Sequence, residues 1–249
     1  MIKIKSPKDL EKMQAGGKIL SETLSKLIES IKPGVSEKEL EKIATFEIEK
    51  RGGFPAFKKV KGYKYALCLS TNDAVVHGIP GDYKFREGDI VGVDCGVFYK
   101  GFNTDMSQTV GVGKISNGQK KFLQIGEKAL LKAIGEAKIG NRVGHISKKI
   151  QEVIEGSSYS VVRVLVGHGI GKALHEEPEI PCFLQGKIEK TPFLKEGMTL
   201  AIEVIYNMGQ SQVNYAGDGW TIKTKDKQVS GLFEKTIAIT KDGPLILTK

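Results

Sequence analysis

Long apolar runs are missing from this sequence. Its richest segments are cut by Arg163, Asp94 or a glycine, well short of the ~20 residues that a membrane-spanning helix needs, so a helical membrane protein is excluded. Met1 to Ser6 carry Lys3 and Lys5 and no apolar core, so they do not read as a secretory leader. Cysteine is scarce. Cys68, Cys95 and Cys182 stand far apart, with no Cys-x-x-Cys pair to serve as a redox or zinc motif, and a reducing, cytoplasmic compartment is expected. Histidine occurs only four times and never as His-Glu-x-x-His, which argues against a mononuclear zincin. The glycines around His168 follow neither Gly-x-Gly-x-x-Gly nor Walker spacing, so a phosphate loop is not indicated.

What is present is ordinary globular material. The 249 residues are 40% hydrophobic and 27% charged, enough for a sizeable core, and one domain over 1–249 is the expectation. A formal charge of +9 raises the question of an acidic partner. The lysines are scattered, however. Pairs such as Lys120-Lys121 and Lys148-Lys149 lie on helix-like segments that also carry acids, so they read as solvated faces and not as a dedicated nucleic-acid site.

Ser6-Pro7-Lys8-Asp9 offers a cap, a proline at the first helical position and an early acid, followed by Leu10, Met13, Gly17, Leu20, Leu24, Leu27 and Ile31 at helical spacing. Ser36-Glu37-Lys38-Glu39 is a capping box opening a second helix through Leu40, Ile43 and Phe46, which stops at Gly52-Gly53. Strands are predicted over 66–71, 74–79, 89–99 and 102–112 between Gly, Pro and Asp turns. The order then repeats, with helices near 119–138 and 146–154 and strands near 160–166, 199–207, 220–224 and 232–240. Two helices followed by strands, twice, predict an α+β domain of pseudo-twofold halves, about 1–113 and 114–249, with strands pooled in a central sheet and helices on one face.

Five candidate ligands fall in or beside the strand-rich parts: Asp94, Asp105, His168, Glu203 and Glu234. Asp94 lies within Ile90-Val91-Gly92-Val93-Asp94-Cys95-Gly96-Val97-Phe98, Glu203 within Leu200-Ala201-Ile202-Glu203-Val204-Ile205, and Glu234 within Leu232-Phe233-Glu234-Lys235-Thr236-Ile237. A buried unpaired carboxylate costs several kcal/mol or takes up a proton. Any one of these acids could sit in a salt bridge or on an edge strand; three together call for a common counter-charge. A pair of divalent cations roughly 3.5 Å apart supplies it, and oxygen ligands with one imidazole suit Mn, Fe, Co or Zn better than a thiolate-selective ion. His77 and His175 lie beside this set, whereas His145, at a helix start before Ile146, reads as a surface residue.

These segments closely resemble the signature blocks of type I methionine aminopeptidases, which have the pita-bread fold. The matching blocks are His77-Gly78-Ile79-Pro80, Asp94 through Asp105, Gly167 through Gly171 with His175-Glu176-Glu177-Pro178, Glu196-Gly197-Met198-Thr199, Glu203, Asp218-Gly219-Trp220-Thr221 and Glu234. The resemblance implies a curved antiparallel sheet with helices on its outer face and two divalent ions (Co, Mn, Fe, Zn or Ni). Asp94 would chelate one ion, His168 and Glu203 the other, and Asp105 and Glu234 would bridge both. It also implies catalytic roles for His77, His175 and Glu203, and a methionine pocket of Tyr63, Cys68, Trp220 and Phe57. The implied activity is removal of the initiator methionine from nascent chains with small second residues, by a cytoplasmic monomer that meets ribosomes transiently and binds neither DNA nor membrane.

The sequence departs from the family pattern at Val76, Asn103, Ala201, Val204 and Lys235. Strand alternation turns Val204 and Lys235 away from the ligands, while Asn103 and Ala201 share the face of Asp105 and Glu203. Two rival readings stand beside the main one: an Xaa-Pro exopeptidase of the same fold, and a metal-free pita-bread module that binds ribosomal RNA.

Overall fold

The computed structural model describes residues 2–249; Met1, the first residue of the segment read for a leader, lies outside them. In chain order the elements are α1 (Pro7–Ser30), α2 (Glu37–Lys50), β1 (Phe54–Pro55), β2 (Leu67–Thr71), β3 (Ala74–Val76), β4 (Ile90–Tyr99) and β5 (Phe102–Gly111). There follow α3 (Asn117–Gly135), α4 (Val143–Glu155), β6 (Ser160–Val161), β7 (Val166–Gly169), β8 (Glu176–Pro181), β9 (Thr199–Asn207), β10 (Val213–Tyr215), β11 (Ile222–Thr224), β12 (Ser230–Thr240) and β13 (Gly243–Ile246).

The helix starts follow their caps. Ser6 and Asp9 exchange side-chain and backbone bonds at the head of α1, and Ser36 and Glu39 do the same for α2. An equivalent box, Ser116 with Gln119, opens α3 at Asn117, two residues before the helix expected from 119. Half-buried His145 sits on the third residue of α4, where its Nδ1 accepts the Arg142 N–H at 3.0 Å. It is thus a helix-capping residue and not a plain surface one. Phe46, assigned above to the apolar face of α2, is 59% exposed; the buried side of that helix is carried by Leu40, Ala44 and Ile48 instead.

A ten-stranded antiparallel sheet has the central order β1-β4-β5-β12-β9-β7-β8, with β2 added on β4, β13 on β12 and β6 on β9. Its helix-facing side chains form two main cores. Val91, Val93, Cys95, Val97 and Met106 pack with Leu20, Leu24, Leu27, Leu40 and Ile48 of α1 and α2. Ile202, Val204, Tyr206 and Phe233 pack with Phe122, Leu130, Ile146 and Ile150 of α3 and α4. Both helix pairs therefore cover the same face of the sheet, which leaves the alternate residues of β4, β5, β9 and β12 on the open face. A small sheet, β10-β11-β3, stands beside it. Among the described residues no helix is long and apolar enough to cross a membrane.

Two strand expectations need correction, and β1, β8, β10 and β13 lie where no strand was expected. The run from 74 ends at Val76, because His77 adopts φ +57 and turns the chain. The run 160–166 is broken into β6 and the start of β7. β8 was missed altogether: Pro178 and Pro181 disguise an alternation in which Pro178 and Ile180 are buried and Glu177 and Glu179 exposed. As the last strand in the sheet order, it can tolerate prolines that an interior strand could not.

Candidate metal centre

Register places the acids. Directly paired residues of an antiparallel sheet point to the same face about 4.5–5.5 Å apart, and one cross-strand row runs Cys68, Asp94, Ser107, Glu234, Glu203 over five strands. The adjoining row on the same face runs Gly96, Asp105, Thr236, Ala201, His168. Three acids of one row and an acid and a histidine of the next thus meet at the middle of the open face. Ligand atoms of Asp105, His168 and Glu234 all lie within 4.8 Å of one another. Asp94 and Glu203 stand close enough for their charges to act on both Asp105 and Glu234.

At the seam between β5 and β12 two threonine hydroxyls replace ordinary ladder bonds. Thr236 Oγ1 accepts from Asp105 N–H at 2.9 Å and donates to the Asp105 carbonyl at 2.8 Å. Thr109 Oγ1 does the same for Leu232, at 2.8 and 2.7 Å. The hydroxyls hold the strands apart on either side of Ser107 and Glu234, and so fix the spacing between Asp105 and Glu234. Thr236→Val keeps the side-chain shape and removes both bonds to Asp105. It is expected to lower folding stability by about 1–3 kcal/mol and to weaken divalent-ion affinity about 10–100-fold. Urea melts and metal titration check this, and parental metal affinity in the variant would remove the spacing role.

The electrostatics of the cluster are those of a missing counter-charge. Burial, reinforced by the neighbouring carboxylates, pushes Asp105, Glu203 and Glu234 well above the usual carboxylate range; burial alone raises Asp94 to about 7. Among the described residues that line the cleft there is no lysine or arginine. Asp94 Oδ1 is buried with no hydrogen-bond partner, and so is Ser107 Oγ between Asp94 and Glu234 in the row. Burial lowers His168 to about 4, with His175 adding to the effect, so its ring is neutral at pH 7. His168 Nδ1 lies 2.8 Å from the Gly169 carbonyl, which makes it the N–H donor and leaves Nε2 a free lone pair. Four carboxylates, an orphaned oxygen and a neutral imidazole fit a divalent cation.

The cleft has a volume of about 600 Å³ and holds every candidate named from the sequence: the five ligands, His77, His175, Phe57, Tyr63, Cys68 and Trp220. The rings of His168 and His175 meet edge to face at 4.5 Å. His77 and His175 are exposed at the cleft, but the walls remove enough water to lower both below the usual imidazole range. At the far end of the first row, Tyr63 O–H reaches the Leu67 carbonyl at 2.9 Å and Cys68 Sγ at 3.1 Å. Trp220 meets Tyr63 edge-on at 5.0 Å. Phe57 occupies the space over Gly96, where a Cβ would stand 2.8 Å from its ring. Burial raises the Cys68 thiol well above its ordinary range and keeps it neutral.

Several participants were not named from the sequence: Ser107, Thr109 and Thr236 in the sheet, and Val60, Leu165, Leu174 and Glu179 along the cleft. Only the alternation within β5 and β12 could have pointed to the first three. Asn103 does share the ligand face, but its Nδ2 bonds the carbonyls of Gly171 and Lys172 at 2.9 and 3.1 Å; it braces the turn before His175. Ala201 is paired with His168, Val204 lies in the core under α3 and α4, and Lys235 Nζ is turned away to the Thr248 carbonyl at 2.7 Å.

Comparison with known proteins agrees with this geometry. Residues 11–241 match metallopeptidase family M24. A methionine aminopeptidase of Clostridium perfringens is 45% identical over 100% of this chain and 99% of its own. The crystal structure of a methionine aminopeptidase from Thermotoga maritima superposes with a TM-score of 0.97 at 42% identity, covering 100% of both chains. A prolidase from Pyrococcus furiosus shares the fold more distantly, with a TM-score of 0.80 and 25% identity over 99% of this chain and 65% of its own. With its ligand rows, its fold and these relatives taken together, the chain belongs to metallopeptidase family M24, among the methionine aminopeptidases.

Proposed function

We propose that this chain hydrolyses the peptide bond after an N-terminal methionine, releasing the initiator residue from new proteins. The observation that carries this reading is the continuity of one sheet row, which leads from Glu203, Glu234 and Asp94 directly to Cys68 in the aromatic pocket. Asp94, Asp105, His168, Glu203 and Glu234 would hold two divalent ions, which would supply a water of lowered pKa, polarisation of the scissile carbonyl and attraction for the free α-amine.

The remaining chemistry belongs to the chain's own side chains. Tyr63, Cys68, Phe57 and Trp220 receive the methionine side chain, whose polarizable thioether gains from aromatic edges. The two ligand rows at one end and the apolar pocket at the other orient the substrate so that only its first residue fits between them. Neutral His175 donates an N–H to the carbonyl oxygen as charge develops there. His77, at the turn that its positive φ makes after β3, holds the scissile amide or the adjoining substrate backbone. Glu203, ionised once the site is filled, takes a proton from the attacking water and passes it to the leaving amine. The protein works as a cytoplasmic monomer on chains emerging from ribosomes.

Release of methionine from Met-Ala-Ser, compared with cleavage of Xaa-Pro peptides by the same metal-loaded preparation, tests the reading. Turnover of Met-Ala-Ser with negligible Xaa-Pro cleavage is expected. The opposite preference would transfer the chain to the prolidase-like activity, and background rates on both peptides after metal titration would leave a binding module.

A further inference from the structure

Lys5 precedes the first helix in a segment that the sequence presents as an ordinary charged N-terminus. In the fold it is buried. Its Nζ lies 2.6 Å from Glu176 Oε2, with the two side chains only 6% and 3% exposed, and also reaches the Lys3 carbonyl at 3.2 Å. Glu176 follows His175 directly, and its other carboxylate oxygen accepts the Ala173 N–H at 3.2 Å, closing the turn that carries His175. Gly171, in the same turn, has no Cβ because one would run into Lys5 Cε and stand 3.0 Å from Glu176 Oε1. The turn is shaped around the ion pair.

The lysine is itself anchored to the sheet. Lys5 N–H donates to the Gly197 carbonyl at 2.8 Å, and Gly197 N–H donates to the Ile239 carbonyl on β12, the strand of Glu234, at 2.9 Å. On the opposite side Asn103, on the strand of Asp105, holds Gly171 by both its backbone N–H and its side chain, at 2.7 and 2.9 Å. His175 therefore stands on a turn clamped between β5 and β12, two of the ligand-bearing strands, and one clamp is the N-terminal segment. Lys3 also approaches Glu176, at 3.6 Å, but it is 59% exposed and screened by solvent, so it does not substitute for the buried partner.

We infer that Lys5 is a positioning residue for the hydrolytic reaction, acting through its buried ion pair with Glu176 to hold the His175 turn against the metal centre. The inference rests on the role given to His175 above. Lys5 touches neither substrate nor metal ligand; what it supplies is the placement of a group whose displacement by about 1 Å can cost about 100-fold in rate.

A double-mutant cycle on the metal-loaded enzyme with Met-Ala-Ser tests this. Lys5→Met is expected to lower kcat at least about tenfold and to leave divalent-ion affinity, measured by calorimetric titration, at the parental value, since none of the five ligands is moved. Lys5→Arg preserves the charge and should recover most of kcat. In a His175→Ala background, Lys5→Met should produce no additional fall, because the group it places is gone. Should the single variant fail to fold, Lys5→Met with Glu176→Gln, which leaves no unpaired buried charge, carries the same comparison. The inference is overturned by an unchanged kcat in the folded variant, by the same fold-loss with and without His175, or by a metal affinity that falls in step with kcat. The reading of His175 fails separately, if His175→Ala alone keeps the parental kcat.

Discussion

Glu234→Gln should abolish hydrolysis and, in the same protein stripped of metal, raise its stability at pH 8. Glu234 is buried in the central row, directly opposite Glu203 and sharing Ser107 as a neighbour with Asp94. Burial and then the charges of Asp105, Glu203 and Asp94 push its pKa well up. With metal present the carboxylate contributes several kcal/mol of charge stabilisation, so its loss lowers kcat/KM by about three orders of magnitude at 1.36 kcal/mol per decade. Without metal it is one of several like charges with no lysine or arginine in the cleft to pair with. Replacing a poorly compensated buried charge by a neutral group of the same shape is then favourable, by about 1–4 kcal/mol. Kinetics at saturating metal and thermal melts in chelator read the two effects. A variant that retains a tenth of the parental rate, or melts below the parent at pH 8, would show that Glu234 is not held against like charges at a metal centre.

The ligands were legible because a carboxylate inside an apolar strand is a local anomaly. Asp94, Glu203 and Glu234 stood out from the residues on either side of them. Their arrangement was not legible in the same way. That Glu234 lies opposite Glu203, and that Asp105 meets Thr236 across 131 residues of chain, are facts of strand register, which periodicity alone cannot fix because many pairings satisfy the same alternation. Lys5 was invisible for a related reason. Its partner lies 171 residues away, and a lone lysine near an N-terminus is ordinarily solvated. Phe46 fails in the opposite direction, since helical spacing marks it as core while the buried face of its helix is carried by Leu40, Ala44 and Ile48 and leaves it exposed. The edge strand β8 was hidden by its prolines. Element type thus followed from composition and caps, whereas the long-range pairings needed coordinates.

The stability of the metal-free protein should fall as pH rises from about 4 to 8, and a divalent ion should reverse most of that fall. The sign follows from the direction of each shift. A carboxyl group whose folded pKa exceeds its unfolded value contributes stability that is complete below the unfolded pKa and lost as pH rises through the folded one. Asp94 moves from 3.8 to about 7, and at about 1.4 kcal/mol per unit it alone removes several kcal/mol over that window. Asp105, Glu203 and Glu234 are displaced in the same direction. His168 opposes them: its pKa falls from 6.5 to about 4, so its contribution is present above about 6.5 and lost on acidification. His77 and His175, also lowered by burial, act in the same sense as His168, and the four buried acids outweigh these three imidazoles. Glu37 and Glu41, also raised by burial, add to the fall but lie outside the cleft lining, so a metal leaves their share untouched. The expected record is therefore a pair of melting curves against pH, declining for the chelated protein and nearly level with a saturating divalent ion, with the gap widening toward pH 8. Metal binding at pH 6 should release protons, seen as a dependence of binding heat on buffer ionisation enthalpy. A gap that stays constant from pH 5 to 8, with no proton release, would mean that the four carboxylates are already ionised and compensated without a cation, and the metal centre would lose its physical basis.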